Sequence, residues 1–198
     1  MPFEIVRNDI TQMRVDAIVN TANPKPVIGS GVDAGIHQAA GPELLAAREK
    51  IGRIGVGEAA ITPGFGLNAK YVIHTVGPVW RGGLLGEGKL LRGCYESSLA
   101  LALENGCESI AFPLISAGNY GFPKDEALRI ALDAIRGFLK DHEMMVSLVV
   151  FDRESFRLSR QRHREVASFI DDNYIQEKTA QQISPYHNRR EVIRREWD

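Results

Sequence analysis

The sequence has few cysteines, almost no net charge and no long apolar run. Its 198 residues include only Cys94 and Cys107, and neither a Cys-x-x-Cys motif nor a Cys/His spacing accompanies them. This pattern argues against a disulfide framework and a zinc site. With 24 basic and 25 acidic residues, no global field draws the chain to nucleic acid. We therefore expect reduced thiols, no metal and no cofactor, and any anionic ligand must be held by local geometry.

Targeting segments and several catalytic motifs are also missing from the sequence. No apolar run approaches the roughly 18 residues of a membrane span, and the first residues read as a strand, so we expect a cytoplasmic protein without membrane contact. There is no glycine loop ending in Gly-Lys-Ser/Thr and no Gly-x-Ser-x-Gly elbow. A triad of Ser116, His74 and Asp33 is therefore disfavoured, and His74 is better explained as a structural histidine.

Short runs rich in valine and isoleucine alternate with stretches of helical period along the chain. This alternation is typical of an α/β domain in which helices cover both faces of a largely parallel sheet. The predicted strands are 3–7, 17–20, 59–63, 71–75, 109–114 and 147–151. The predicted helices are 32–40, 42–51, 89–105, 124–140 and 154–172. We expect one domain over residues 1–174 and a polar, basic tail or end helix over 175–198.

Two glycine-bearing loops follow buried strands and lead into helices. The first contains Gly29, Ser30 and Gly31 after strand 17–20, and the second covers residues 116–121 after strand 109–114. Glycines allow close backbone approach, and a helix N-terminus favours an anion. Either loop alone could equally be a structural turn. If the two strands are parallel and close, however, the loops could hold one diphosphate between them.

The motifs around these loops resemble the macro domain family, particularly its MacroD-type hydrolase branch. They are VDAIVN at 15–20, Asn23, GVD at 31–33, IHQAAG at 36–41, YVIHTVGP at 71–78 and SAGNYG at 116–121. They occur in the family's order over residues 3–172. The resemblance implies a three-layer α/β/α sandwich around a mixed sheet, with ADP-ribose bound in a cleft at the strand ends.

The resemblance also implies roles for individual residues. Asp9 matches the carboxylate that accepts a hydrogen bond from the adenine amino group, and Phe151 matches the aromatic residue that stacks on adenine. From the residues alone, Asp9 could equally cap a turn and Phe151 could belong to the core. The expected catalytic residues are Asn23 and Asp33, which with Asn20 match the residues around the distal ribose. The residues expected to bind ADP-ribose are Asp9, Ile10, Asn20, Ala22, Gly29, Ser30, Gly31, Val32, Ser116, Ala117, Gly118, Asn119, Tyr120 and Phe151.

Two residues depart from the pattern of the hydrolase branch. Ser30 stands where that pattern has the first glycine of a pair, so close approach to a phosphate requires a negative φ at this residue. Asn119 stands where a small aliphatic residue usually precedes the aromatic one. These departures bear on the rate of turnover more than on binding.

The reaction implied by the resemblance is hydrolysis of an ester on the distal ribose. The substrate would be O-acetyl-ADP-ribose or a mono-ADP-ribosylated aspartate or glutamate side chain. Asp33 would orient or deprotonate the attacking water, and Asn23 would hold the ribose hydroxyls. Two alternatives stay open: a module that binds ADP-ribose or a modified protein without catalysis, and a regulator that contacts an RNA-processing nuclease. For the regulator, the basic tail with Arg189, Arg190, Arg194 and Arg195 would be the contact.

Overall fold

A computed structural model describes residues 2–185 of the chain. The strands are β1 (Phe3–Arg7), β2 (Ala17–Thr21), β3 (Ala59–Pro63), β4 (Tyr71–Thr75), β5 (Ser109–Pro113), β6 (Met145–Val150) and β7 (Val166–Ser168). The helices are α1 (Val32–Ala40), α2 (Glu43–Ile51), α3 (Glu87–Glu104), α4 (Lys124–Leu139), α5 (Arg153–Arg162) and α6 (Asp172–Gln181), with a 3₁₀ turn at Ile10–Gln12. Six strands and four helices match the predicted ones to within two residues at each end.

All seven strands join one mixed sheet in the order β3-β4-β2-β5-β6-β1-β7. Every neighbouring pair is parallel except β3 and β4, which are antiparallel at one edge. The carboxyl ends of β2, β5, β6 and β1 therefore lie side by side at the same edge of the sheet. The predicted α/β class and mixed sheet are confirmed, and the two glycine-bearing loops follow adjacent parallel strands.

Strand β2 shows why helices must cover both faces of this sheet. Ala17 and Val19 point into one apolar cluster, which includes residues of α3 and α4. Ile18, between them, packs in a second cluster with Ile36 of α1 and Leu44 of α2. Because successive strand residues point to opposite faces, an apolar run such as this one needs a helix layer on each side. The result is the expected three-layer arrangement.

The predicted helix 154–172 is wrong. Helix α5 ends at Arg162, and His163 has extended dihedral angles of φ −137° and ψ 138°. The chain then forms β7, which pairs in parallel with β1. Without β7, one side of β1 would be an unpaired edge with free backbone groups. This tertiary pairing outweighs the helical period of the local sequence, and a separate helix, α6, begins at Asp172.

Helix α6 crosses the position near Tyr174 where we expected the domain to end. It is a polar helix with none of its side chains buried. The arginines of the basic tail, Arg189, Arg190, Arg194 and Arg195, lie outside the described residues. Neither the boundary at residue 174 nor a role for the tail is tested by the fold.

Three further observations on residues 2–185 concern the cysteines, metal binding and membrane-spanning helices. Cys94 and Cys107 are both buried and free of disulfide bonding. No group of histidine, cysteine, aspartate and glutamate side chains within this range is arranged to hold a metal ion. No helix within it has the length and apolar character needed to cross a bilayer.

A buried tyrosine fixes the start of the second glycine-bearing loop. Tyr95 of α3 is 0% exposed. Its hydroxyl donates a hydrogen bond to the carbonyl of Pro113 (3.3 Å) and accepts one from the backbone N–H of Ile115 (3.1 Å). A helix on one face of the sheet thus holds both backbone groups of the chain segment that leaves β5.

Replacing Tyr95 by phenylalanine should lower the free energy of unfolding by about 1–3 kcal/mol, because the N–H of Ile115 is left buried without an acceptor. Chemical denaturation of the purified variant measures this change. Tyr71→Phe, at a partly exposed strand start, is the matched control and should lie close to the parent. Equal stability of the two variants would contradict an anchoring role for the Tyr95 hydroxyl.

Candidate functional site

A cleft of about 660 Å³ lies at the carboxyl ends of β2, β5, β6 and β1. Its volume is in the range of small-molecule sites. Both glycine-bearing loops contribute to it, together with the residues that follow β1 and β6. The predicted site residues that line it are Asp9, Ile10, Asn23, Gly29, Ser30, Gly31, Val32, Asp33, Ser116, Ala117, Gly118, Asn119, Tyr120 and Phe151.

The structure places two predicted binding residues elsewhere. Asn20 is 0% exposed and does not line the cleft, because it sits within β2 with its side chain directed at neighbouring elements. Ala22 is also buried and packs with Ile54 and Val76. The residues were assigned by their match to a motif, and a motif does not distinguish a side chain that faces a ligand from one that supports its neighbours.

The first loop delivers the N-terminus of α1 to the cleft. Gly31 caps this helix with a φ of 73°, which favours glycine. Within residues 2–185, only Phe65 and Ser116 are non-glycine residues with positive φ, so Ser30 meets the requirement for a negative φ. The first N–H groups of a helix have no partner within the helix, and here the first residues of α1, Val32 and Asp33, line the cleft. This is a suitable place for a phosphate group.

Asp33, in the first turn of α1, is held in one orientation by two hydrogen bonds. Its Oδ1 atom accepts from the side-chain amide of Asn20 (2.7 Å), and its Oδ2 atom accepts from the backbone N–H of Gly29 (2.7 Å). The side chain is only 6% exposed. Asp33 is therefore a rigid, nearly buried carboxylate at the bottom of the cleft.

Asn23 and Asp33 lie on the same side of Gly29. A Cβ atom placed on Gly29 would stand 3.1 Å from Asn23 Nδ2 and 3.5 Å from Asp33 Oδ2, so the two side chains lie together beside this glycine. Asn23 Nδ2 donates to the carbonyl of Val27 (2.9 Å), and its Oδ1 accepts from the hydroxyl of Tyr120 (3.2 Å). The last of these bonds joins the first loop to the second.

Behind Asp33, a chain of buried side chains crosses the sheet. The Thr62 hydroxyl donates to the carbonyl of Pro63 and so accepts from His74 Nε2 (3.0 Å). His74 Nδ1 then accepts from Asn20 Nδ2 (3.2 Å), whose other hydrogen goes to Asp33. Burial lowers the pKa of His74 from 6.5 to about 3, and the nearby Asp33 carboxylate opposes this shift only in part. The neutral imidazole thus orients Asn20, which orients Asp33.

The second loop begins with a strained residue. Ser116 has a φ of 64°, a conformation that costs free energy in a residue with a Cβ atom. Its buried Oγ atom has no hydrogen-bond partner among the described residues. A Cβ atom on the facing Gly77 would come within 2.1 Å of this Oγ atom, so glycine is required there. Strain and an unpaired polar atom at a cleft wall are typical of a binding site.

At the other end of the cleft, Asp9 and Phe151 follow the adjacent parallel strands β1 and β6. Asp9 Oδ1 accepts from both the N–H and the hydroxyl of Thr11 (2.9 and 2.7 Å), which caps the 3₁₀ turn. Its Oδ2 atom is directed away from that turn. Asp9 therefore has the capping role inferred from the residues alone and also lines the cleft beside Phe151.

Comparison with known proteins identifies the family of the chain. The family model described as "Macro domain" matches residues 19–131. A macro domain-containing protein of Chlorobaculum tepidum is 51% identical over 146 residues, which cover 74% of this chain and 84% of that protein. The chain belongs to the macro domain family. The predicted resemblance is confirmed.

Other relatives of this macro domain carry more specific names. A Citrobacter rodentium protein named O-acetyl-ADP-ribose deacetylase is 49% identical over 162 residues, 79% of this chain and 92% of that protein. A point mutant of the Oceanobacillus iheyensis macrodomain, solved with ADPR, has a TM-score of 0.78 and 39% identity, covering 81% of this chain and 90% of its own. The Trypanosoma brucei macrodomain in complex with ADP-ribose has a TM-score of 0.75 and 40% identity, covering 81% and 68%.

Several contacts of this macro domain were not predicted from its sequence. His37 Nε2 lies 3.4 Å from Asp33 Oδ1, a contact that their spacing of four residues on α1 could have indicated. Buried Arg48 of α2 donates to the carbonyls of Asn23 (2.8 Å) and Pro24 (3.1 Å) and so fixes the backbone of the first loop. No local motif in the sequence predicts that Arg48 contacts this loop.

The C-terminal residues 179–184 are a further unpredicted part of the cleft. Thr179, Gln182, Ile183 and Ser184 line it beside the first loop. Their polar composition predicts a tail or end helix, without a contact to the cleft. Contacts between segments so distant along the chain carry no local sequence signal.

The low pKa of His74 makes the stability of the macro domain depend on pH. Below pH 6.5 the unfolded chain binds a proton at this residue that the native state excludes until about pH 3. The free energy of unfolding should therefore fall as the pH decreases, by about 2 kcal/mol from this group between about pH 7.5 and pH 5. His74→Gln should reduce this dependence by that amount, measured by chemical denaturation at both pH values. Exposed His142→Gln is the control, and identical slopes for both variants would contradict the assignment.

Proposed function

We propose that this macro domain binds ADP-ribose in the cleft and hydrolyses ester-linked ADP-ribose derivatives. The observation that carries the proposal is that Asn23 and Asp33 lie together beside Gly29 and line a cleft to which both glycine-bearing loops contribute. The substrate class comprises O-acetyl-ADP-ribose and mono-ADP-ribosylated aspartate or glutamate side chains. Names carried by relatives support both the ligand and the reaction.

The shape and polarity of the cleft support the binding step. A diphosphate fits between the N-terminus of α1 and the second loop, where backbone N–H groups can donate to it without a global positive charge. The adenine would lie toward Asp9 and Phe151, where a carboxylate oxygen that the Tyr174 hydroxyl contacts in this structure and an aromatic face would recognise it. The distal ribose would then reach Asn23 and Asp33.

The geometry around Asp33 supports the hydrolytic step. Each carboxylate oxygen accepts one protein hydrogen bond, and Oδ1 also lies 3.4 Å from His37 Nε2, yet a carboxylate has about four lone-pair directions in all. The remaining directions can receive a water molecule. Since the side chain is held from two sides, it can aim that water at the ester carbon without first being ordered. Asn23, whose side chain is held by Val27 and Tyr120, would keep the ribose in position next to Asp33.

Titration calorimetry with ADP-ribose tests the binding step. One-to-one saturable binding is expected, and AMP should bind at least about tenfold more weakly because it lacks hydrogen bonds to the second phosphate and the distal ribose. NAD is a second comparison, since its nicotinamide occupies C1 of the distal ribose, the position of the ester in protein-linked ADP-ribose. Equal affinity for AMP and ADP-ribose would contradict the placement of the diphosphate between the loops.

Replacing Asp33 by alanine tests the hydrolytic step. Turnover of O-acetyl-ADP-ribose should fall by about 10²–10⁴-fold, the usual contribution of a general base or water-orienting group. Binding of ADP-ribose should persist, as the loops are retained. The control is Asp141→Ala, an exposed aspartate in the connection before β6. Parental turnover in Asp33→Ala would refute the assignment, and binding without turnover in the parent would make the protein a reader of ADP-ribose.

A further inference from the structure

Residues 172–184, here called the strap, cross the mouth of the cleft from its adenine end to its diphosphate end. The strap consists of α6 and the three residues after it. It begins at the ion pair between Asp172 and Arg7 of β1 (2.7 Å) and ends beside the first glycine-bearing loop. Along its length it contacts groups that the proposed function assigns to ADP-ribose.

At the diphosphate end, the strap occupies polar groups of the first loop. The backbone N–H of Gly31 donates to the carbonyl of Gln182 (2.9 Å). The N–H of Ser184 donates to Ser30 Oγ (2.9 Å), and the Ser184 hydroxyl donates to the carbonyl of Ile28 (2.7 Å). The donor of Gly31 is therefore unavailable to a phosphate while the strap is in place.

The electrostatics of this contact are those of an anion site. Gln182 is the C-cap of α6, and Gly31 is the N-cap of α1. The negative end of one helix dipole thus meets the positive end of another, where the proposed ligand would put a diphosphate. A protein carbonyl takes the place of the phosphate oxygen.

At the adenine end, the strap occupies the carboxylate of Asp9. The Tyr174 hydroxyl donates to Asp9 Oδ2 at 2.7 Å, and both bonds from Thr11 already use Oδ1. Burial and the neighbouring carboxylate raise the pKa of Tyr174 to about 12, so its hydroxyl keeps its proton at neutral pH. It stands where the amino group of an adenine would donate.

We infer that the strap is an autoinhibitory segment that competes with ADP-ribose for Asp9 and for the N–H of Gly31. This inference rests on the proposed function, since it concerns the same cleft. With the strap in place the cleft still has a volume of about 660 Å³, so the competition is confined to the positions next to the atoms that the strap hydrogen-bonds. Ligand binding requires the strap to release these atoms.

The strap is built to be displaced at low cost. None of the side chains of α6 is buried, so little apolar surface is lost when it leaves. It is retained mainly by separate polar contacts at its two ends. One of these uses Ser30, the residue that departs from the glycine of the hydrolase pattern, and glycine could not supply this hydroxyl acceptor. The departure is explained by the strap.

Tyr174→Phe tests the inference at the adenine end. The variant loses the donor to Asp9 and weakens the closed state, so ADP-ribose should bind up to about tenfold more tightly in calorimetry. Tyr71→Phe is the matched control and should bind like the parent. Unchanged or weaker binding in Tyr174→Phe overturns the inference.

Gly35→Ala tests the inference at a residue that does not line the cleft. A Cβ atom on Gly35 of α1 would come within 2.7 Å of Gln182 Nε2, so the alanine forces the Gln182 side chain off α1 and weakens the contact of the strap with this helix. Tighter binding of ADP-ribose is again expected. Gly137→Ala in α4 is the control, because its Cβ would meet only the end of Arg92 at 3.6 Å and it gains the same helix propensity.

Hydrogen exchange of the strap amides in the full-length protein distinguishes the possible outcomes. Added ADP-ribose should speed exchange in residues 172–184 as the strap is released. Slower exchange would mean that the strap closes over the ligand and would overturn the inference, as would exchange that does not change although calorimetry shows binding. If no variant binds ADP-ribose, the proposed function fails and this inference fails with it.

Discussion

The amide nitrogen of Asn20 joins the centre of the sheet to the first helix, and the candidate site depends on this link. One of its hydrogens goes to His74 on the adjacent strand and the other to Asp33 on α1. Both bonds are buried, where a polar group left unpaired is costly. The neutral state of His74 is part of the arrangement, because a proton on Nδ1 would face the hydrogens of Asn20. Burial in the sheet therefore keeps the carboxylate in the cleft correctly oriented.

The order of the strands determines how long the cleft is. Four parallel strands in succession, β2, β5, β6 and β1, end at the same edge. Each is followed by a different kind of polar segment: the α1 N-terminus, the loop of Ser116, the turn at Phe151 and the cap at Asp9. An extended ligand with a base, a diphosphate and a sugar can be recognised in parts along such an edge. No single loop here would recognise it alone.

The strap brings the last described residues of the chain against the carboxyl-terminal edge of the sheet. It places a helix C-terminus against a helix N-terminus and a tyrosine hydroxyl against a carboxylate, which repeats with protein groups the polarity of the proposed ligand. The Chlorobaculum and Citrobacter relatives match about three quarters to four fifths of the chain. The family model matches residues 19–131, so the strap lies outside the part of the chain that this model matches.

The sequence by itself determined the class of fold, most of the elements and half of the residues that line the cleft, because these depend on local period, glycine positions and motifs. The apolar run of β2 requires two covering layers whatever follows it, and Gly31 before α1 marks a helix N-terminus. Tertiary structure alone decided that Asn20 supports Asp33 without lining the cleft, since only strand register sets its buried side chain opposite His74. It also decided that residues 166–168 form a strand, because the open edge of β1 pairs with them. The position of the strap also depends on tertiary structure alone. Tyr174 and Asp9 are 165 residues apart, and no local pattern relates a polar helix to a carboxylate that distant along the chain.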